Sequence, residues 1–451
     1  MNFSIIQKLQ LEGAKRLDAE YYQPEYLRND ELLSKFEINK IGEIADVVFG
    51  TTPKGASFIE NGVPFIRSQN FENSLINFPE IVYCSNDFHK NNLKSEVKPG
   101  DILFAAVGAT IGELAIIQPS LTQGNINQNI GKIRITDSGY NPYFIWLFFV
   151  SKIGQRQISR LTTGNAQSYL NTEQIKSFTA PKITDNGLSK RYYLEICKYF
   201  DHATQFYNQA KKIFSEELGL DNIENDNFLS VVINLSEVQA GNRFDAEYFN
   251  SPCNKILAQV MKNKTTKLGD LMELTKGIEP GAGAYQDKGK LFIRVSSISK
   301  DGIIDKDQKY LSDDLYNEYK KDYQPQVGDI LLTKDASIGV ACVVREQVEG
   351  IVAGGVLRLK LKEKMNPEYL ALVLNSVVGR LQAERDAGGS IIAHWKPEQI
   401  KNLIVPILPT STQEKIADMV VKSHEARKKA KELLEEAKLK VEDIIEKGVS
   451  N

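Results

Sequence analysis

Two related mixed α and β domains, each followed by a long helix, are what this 451-residue sequence predicts. This α+β organisation rests on three observations. The length exceeds what one hydrophobic core usually organises. Segments of the first half recur, in order, in the second. After each half comes a stretch whose apolar residues alternate at spacings of three and four, the seam of a coiled-coil-like helix.

Composition narrows the class further. Hydrophobic residues make up 42% and charged residues 25%, which excludes a disordered polypeptide. Lys plus Arg number 56 against 58 Asp plus Glu, a formal charge of −2, so any nucleic-acid role depends on local basic positions. Cys84, Cys197, Cys253 and Cys342 show no zinc-ligand spacing and read as reduced packing residues. Met1 to Ser4 open no leader-like segment, and the strongest apolar run, Phe144 to Val150, is too short to span a bilayer. The expectation is a cytoplasmic protein with no membrane association.

The duplication keeps register over most of the chain. Arg16-Leu17-Asp18-Ala19-Glu20-Tyr21-Tyr22 returns 227 residues later as Arg243-Phe244-Asp245-Ala246-Glu247-Tyr248-Phe249. Lys40 to Ile44 matches Lys267 to Leu271, and Phe65-Ile66-Arg67 matches Phe292-Ile293-Arg294, at that same offset. Gly100-Asp101-Ile102-Leu103 meets Gly328-Asp329-Ile330-Leu331, and Ile111-Gly112 meets Ile338-Gly339, with a one-residue slip between them. Asn141-Pro142 pairs with Asn366-Pro367, and Glu173-Gln174-Ile175-Lys176 with Glu398-Gln399-Ile400-Lys401, now 225 residues apart.

Within each copy, β-branched runs such as Val63 to Arg67, Asp101 to Phe104 and Lys132 to Ile135, punctuated by Gly, Asn and Pro, predict twisted strands. Asn141-Pro142 and Asn366-Pro367 predict an N-cap followed by proline at the first helical position, opening apolar helices through Phe149 and Leu374. Tyr193, Ile196, Phe200, Ala203, Tyr207, Ala210 and Phe214 draw one helical seam; Ile416, Met419, Ser423, Ala426, Ala430, Leu433 and Ala437 draw another. Such narrow stripes gain little from a broad core and more from lying along each other. An approximate two-fold relation between the halves makes the helices antiparallel. About thirty residues at ~1.5 Å each gives roughly 45 Å of rod, against about 34 Å for a turn of B-DNA. The expected boundaries are a first domain over 1–186, a central helix over 187–219, a polar linker over 220–239, a second domain over 240–409 and a C-terminal helix over 410–451.

These duplicated features, with Thr163-Gly164-Asn165 preceding Glu173-Gln174-Ile175-Lys176 and a long helix after each copy, resemble the DNA specificity subunit of type I restriction-modification systems. The resemblance covers essentially the whole chain. Each motif is weak alone; their duplicated order is specific. It implies two target-recognition domains, each reading one half of a split, asymmetric double-stranded DNA target, with the helices setting the gap. It also implies a subunit that performs no chemistry and binds no cofactor. Two modification subunits and the restriction subunits would be its partners and would carry S-adenosylmethionine, ATP and Mg. The recognition polypeptide of a two-part type II system would use the same architecture, and a protein scaffold that reads no DNA is the alternative from another class.

Comparing the copies separates scaffold from readout. Shared positions, such as Gly42 and Gly269 or Arg67 and Arg294, suit backbone geometry, buried structure or phosphate contact, whereas positions that differ inside matched loops suit base reading. The first loop set is Ser68-Gln69-Asn70 against Val295-Ser296-Ser297. Gln69 and Asn70 either offer bidentate pairs to adenine or close a turn, with Ser296 and Ser297 opposite them. The second is Ala106 to Thr110 against Thr333 to Ser337, where Thr110 and Lys334 are candidates and a solvated surface lysine is the plainer reading of Lys334. The third is Asn165, Gln167, Ser168 and Tyr169 against Ser390 and His394, with Lys396 close by. His394 either contacts DNA or is satisfied within its own domain. Lys54, Lys132, Arg134, Lys276 and Arg358 are the candidates for phosphate contacts.

Rival chemistries find no seat. Asn141-Pro142-Tyr143-Phe144 resembles the Asn-Pro-Pro-Tyr of adenine methyltransferases but lacks the second proline and recurs as a helix start. No GxxxxGK[ST] loop or strand-linked glycine fingerprint occurs. The spacing from Asp329 to Lys334 hints at a magnesium nuclease site, but its counterpart in the first copy has no lysine. No catalytic or metal-binding residue is therefore expected.

Overall fold

The computed structural model describes residues 5–6, 17–56, 58–78, 81–108, 110–162, 169–221, 232–241, 244–249, 252–304, 308–362, 365–387 and 394–448. The chain divides into two compact units. One is Met1–Thr204 with Ala426–Asn451, and the other is Gln205–Glu425.

In the first unit, the turn-punctuated β-branched runs form an antiparallel sheet ordered Ala45–Phe49, Ile130–Ile135, Ile102–Ala105, Leu114–Ile116. A second sheet is ordered Val82–Cys84, Val63–Ile66, Gly124–Ile126, Glu96–Val97 and includes a parallel pair between Val63–Ile66 and Gly124–Ile126. Ile38–Lys40 pairs with Thr179–Pro181, tying the start of the domain to its end. The second unit repeats this plan. Met272–Lys276, Val356–Leu361, Ile330–Thr333 and Ala341–Val343 form one sheet, and Lys309–Leu311, Lys290–Ile293 and Gly350–Val352 another. Thr265–Lys267 again pairs with Ile404–Pro406.

The helices begin where the sequence places their caps. Asn141 Oδ1 accepts from the Tyr143 amide at 3.1 Å and opens Pro142–Val150; Asn366 Oδ1 accepts from the Glu368 amide at 2.9 Å and opens Pro367–Asn375. From Phe144 to Val150 and from Tyr369 to Leu374 every residue is buried, because each helix plugs the middle of its unit's core. The repeated Ala-Glu-Tyr segments are also held alike. The Arg160 guanidinium lies 4.1 Å from the Tyr21 ring centroid, and that of Arg385 lies 5.0 Å from Tyr248, a favourable cation–π geometry. The shared glycines prove to be packing positions: a Cβ on Gly42 would stand 2.9 Å from Lys176 Cβ, and one on Gly269 3.0 Å from Lys401 Cβ.

The central helix runs Leu188–Leu218 and the C-terminal helix Thr410–Lys447. The seam residues predicted from spacing are buried, apart from Met419, which is half-buried. Inside the first unit, the Tyr192 hydroxyl donates to Glu436 Oε1 at 2.6 Å, while Arg427 lies over the Phe200 ring at 5.3 Å, so the two helical segments run antiparallel there. The expectation that they gain little from a broad core needs correction. Ala430, Leu433, Leu434, Ala437, Val441 and Ile445 share one apolar cluster with Tyr193, Phe200 and the Trp146 helix. Tyr207, Phe214, Ile416 and Val420 likewise join the core of the second unit. Buried positions at 430, 433, 434, 437, 441 and 445 make a face wider than a two-residue-per-heptad seam, wide enough to cover a domain as well as a partner helix.

Candidate nucleic-acid interface

Each unit gathers its candidate loops around one short turn. In the first, the Asn127 amide donates to Ile66 O at 3.1 Å, the Ala106 amide to Asn129 O at 2.9 Å, and the Leu170 amide to Ala106 O at 3.0 Å. The segments after Phe-Ile-Arg, after Gly-Asp-Ile-Leu and before Glu-Gln-Ile-Lys are thereby linked in series. The second unit repeats every link. The Ala353 amide donates to Ile293 O at 2.9 Å, the Lys334 amide to Gly355 O at 3.0 Å, and the Trp395 amide to Lys334 O at 2.8 Å. A Cβ on Gly355 would stand 3.0 Å from Val295 Cγ2 and 3.5 Å from Asp335 Oδ2, which places the Arg294 turn and the Lys334 loop side by side. Lone bridges pair Val107 with Tyr169 and Asp335 with His394 at matching positions. Sequence comparison picked out these loops separately; folding brings them together.

The side chains sort into two groups. Lys54, Gln69, Tyr169, Lys276, Ser296, His394 and Lys396 are exposed, with Tyr169 at 50% and the His394 side chain at 66%. Lys54 lies in the turn Lys54–Ala56, Lys276 ends its strand and Lys396 caps the helix Pro397–Lys401. Thr110 is half-buried and its carbonyl accepts from the Glu113 amide at 3.0 Å.

Others are turned toward protein partners or only half-exposed; Lys334, expected as a solvated surface lysine, is instead buried at 9% exposure with its Nζ on Asp335. Asn70 is fully buried and its Oδ1 accepts from the Arg67 amide at 2.8 Å, so it closes a turn. Ser297 occupies the same place, its Oγ accepting from the Arg294 amide at 3.4 Å. Arg67 and Arg294 are half-buried beside these turns, Arg67 lying 5.9 Å from the Phe58 ring centroid. Lys132 Nζ donates to the carbonyls of Lys94 at 2.9 Å and Glu96 at 2.6 Å; burial and then the Arg134 charge push its ammonium below its ordinary pKa. Arg134 forks onto Asp101 at 2.7 and 2.6 Å, and Arg358 donates to Gln324 O at 2.8 Å. Strand alternation turns these basic residues toward neighbouring loops, which composition could not reveal. Asn165, Gln167, Ser168 and Ser390 lie outside the described residues.

Sequence reading passed over Asp335. Its Oδ1 lies 2.8 Å from His394 Nδ1 and its Oδ2 2.5 Å from Lys334 Nζ. Burial works to raise this carboxyl, but the hydrogen bonds from Lys334 and His394 and their charges outweigh it and hold it below the usual carboxylate value. The available signal was the contrast of Lys334-Asp335 with Ala106-Val107. Among the described residues, no group of His, Cys, Asp and Glu could hold a metal ion, and no helix is long and apolar enough to cross a membrane.

Comparison with known proteins follows the same division. A curated relative, the type I restriction enzyme MjaVIII specificity subunit of Methanocaldococcus jannaschii, is 22% identical over 154 residues, 34% of this chain. The chain thus spans only about a third (36%) of that relative's length. Among solved structures, the S subunit of a type I restriction-modification system from M. genitalium aligns over 91% of this chain and 95% of its own, at 11% identity and a TM-score of 0.40. The HsdS subunit from Thermoanaerobacter tengcongensis aligns over 92% and 97%, at 14% identity and a TM-score of 0.30. The family model for the type I restriction modification DNA specificity domain matches residues 34–181 and again 261–436. With one such domain matched in each half, the chain belongs to the type I restriction-modification DNA specificity family.

Proposed function

We propose that this chain reads a bipartite, asymmetric double-stranded DNA target, one half-site per unit, and does so for methyltransferase and restriction subunits that dock on it. One observation carries the reading: both units build the same hydrogen-bonded loop junction but put different side chains on it. Val107 and Tyr169 stand where Asp335 and His394 stand. An identical scaffold with divergent surface chemistry is what two readers of unlike sequences require, because backbone contacts set register while side chains on base edges discriminate.

In this reading the long helices set the distance between half-sites and offer the docking faces. The chemistry belongs to the partners, together with S-adenosylmethionine, ATP and Mg, and the complex works in the cytoplasm. The near-balanced charge, 56 basic against 58 acidic residues, supports a division of labour in which partner subunits close around the duplex and supply much of the phosphate contact.

The test is a domain exchange. Methylation sites are mapped in cells carrying this chain and its modification partner, then in cells where residues 240–409 come from a related chain. The expected result is a split recognition site of which one half alone changes. A change in both halves together, or a continuous palindromic site, overturns the two-reader reading.

A further inference from the structure

The junction of the second unit carries a polar device that the first unit lacks. Asp335 uses both carboxylate oxygens, Oδ1 on His394 Nδ1 at 2.8 Å and Oδ2 on Lys334 Nζ at 2.5 Å. The two chain segments are fixed beneath it by the Asp335–His394 bridge and by the Trp395 amide on Lys334 O at 2.8 Å, with Trp395 buried. The residue that follows, Ala336, has φ 58°, a left-handed backbone that its counterpart Gly108 adopts at 85°. A non-glycine residue held there is strained, so the turn presenting Asp335 is over-determined by its surroundings.

Chemistry then assigns the ring atoms. An ionised carboxylate only accepts, so Nδ1 of His394 carries the hydrogen, and in the neutral ring the lone pair sits on Nε2. The other carboxylate oxygen is held by Lys334 Nζ, so Oδ1 is left to face the ring. The His394 side chain is 66% exposed, which leaves Nε2 accessible as an acceptor. In the major groove, the partners of an acceptor are the exocyclic amino groups, N6 of adenine and N4 of cytosine.

We propose that Asp335 is a positioning residue that fixes the His394 tautomer, so that Nε2 accepts a hydrogen bond from the amino group of one adenine or cytosine in the second unit's half-site. The proposal rests on the DNA-reading function above and adds the atom, the base class and the residue that orients the reader. It confines the effect to one half-site, because the first unit has Ala106, Val107 and Tyr169 in the same places. Asp335 is the charged group bonded to the ring, and Lys334 holds its other carboxylate oxygen.

The test uses the assembled modification complex. Methylation sites are mapped for the unaltered chain, Asp335→Asn and His394→Ala, and each complex is then assayed on duplexes carrying every substitution of each target base pair. The expected result is a drop of about tenfold in discrimination at one A·T or C·G pair of the second half-site in both variants, with the first half-site untouched. His394→Gln, whose side-chain oxygen can accept from the same amino group, should recover part of the discrimination that His394→Ala loses, which a merely structural role for the ring would not predict. Unchanged discrimination in Asp335→Asn and His394→Ala would overturn the proposal while leaving the two-reader function standing. Should the unaltered complex show no split site, the function itself fails. Should Asp335→Asn not fold, the exposed His394 variant decides alone.

Discussion

At the scale of single residues, the basic side chains of the first unit divide between solvent and the protein's own carbonyls. Lys54 and Lys132 are equally plausible phosphate ligands on paper, yet one is exposed and the other is spent on two loop carbonyls. The difference comes from register: a one-position shift along a strand moves a side chain to the other face, and register is set by partners distant in sequence. Two substitutions separate the roles. Lys54→Ala should flatten the salt dependence of DNA binding by the complex by about 0.9 in logarithmic slope, with an unchanged melting curve. Arg134→Met should leave that slope unchanged and destabilise the first unit by about 2–3 kcal/mol, because the Asp101 side chain, 4% exposed, loses its fork. In the second unit, Ala336→Gly should relieve the left-handed backbone and stabilise by roughly 0.5–1 kcal/mol, net of glycine's extra unfolded-state entropy. Calorimetry reads that as a rise of about 1–4 °C. Asp335 adds a pH signature. Its folded-state pKa is depressed, so its contribution is complete above the unfolded value, near ~3.9, and is lost as pH falls through the lower folded value. Acid titrations of the second unit should therefore flatten below about pH 4 in Asp335→Asn relative to the unaltered chain.

At the scale of elements, local chemistry was legible wherever the signal was local. The Asn-Pro caps opened both apolar helices at the stated residues, and the alternating three and four spacing picked out buried positions along both long helices. Less legible was what those faces cover. Periodicity reports that a stripe is apolar; it does not report whether a helix, a sheet or both lie against it. Additional buried positions at Leu434, Val441 and Ile445 carried the missing information, since they widen the stripe beyond a seam. The meeting of the three loop sets was also invisible beforehand, because it depends on amides of residues 127 and 353, which carry no motif. Ala437→Asp tests the wider face. A carboxylate placed at a fully buried position, 0% exposed, should destabilise the first unit by several kcal/mol, whereas a mere surface stripe would tolerate it. Differential scanning calorimetry of the full chain would show the transition of one unit moving while the other stays.

At the scale of the whole molecule, duplication did most of the inferential work, since it turned one sequence into a comparison of two. Matched positions such as Gly42 and Gly269 marked packing, and mismatched ones marked the surface where Tyr169 and His394 stand. The two compact units nevertheless do not follow the order of the chain, because Ala426–Asn451 belongs with Met1–Thr204. During translation, then, the amino-terminal half leaves the ribosome without the strip of Leu433, Leu434, Val441 and Ile445 that closes its core. At about 1.5–3 kcal/mol for each such side chain buried, the missing strip is comparable with the whole stability of a typical domain, about 5–15 kcal/mol. A nascent chain halted after residue 425 should accordingly remain protease-sensitive throughout its first two hundred or so residues, and adding a peptide of residues 426–447 should restore protection. Quality control thus comes built into the synthesis order: the first unit is completed only once the second has been made, so a prematurely terminated product would have no finished amino-terminal unit.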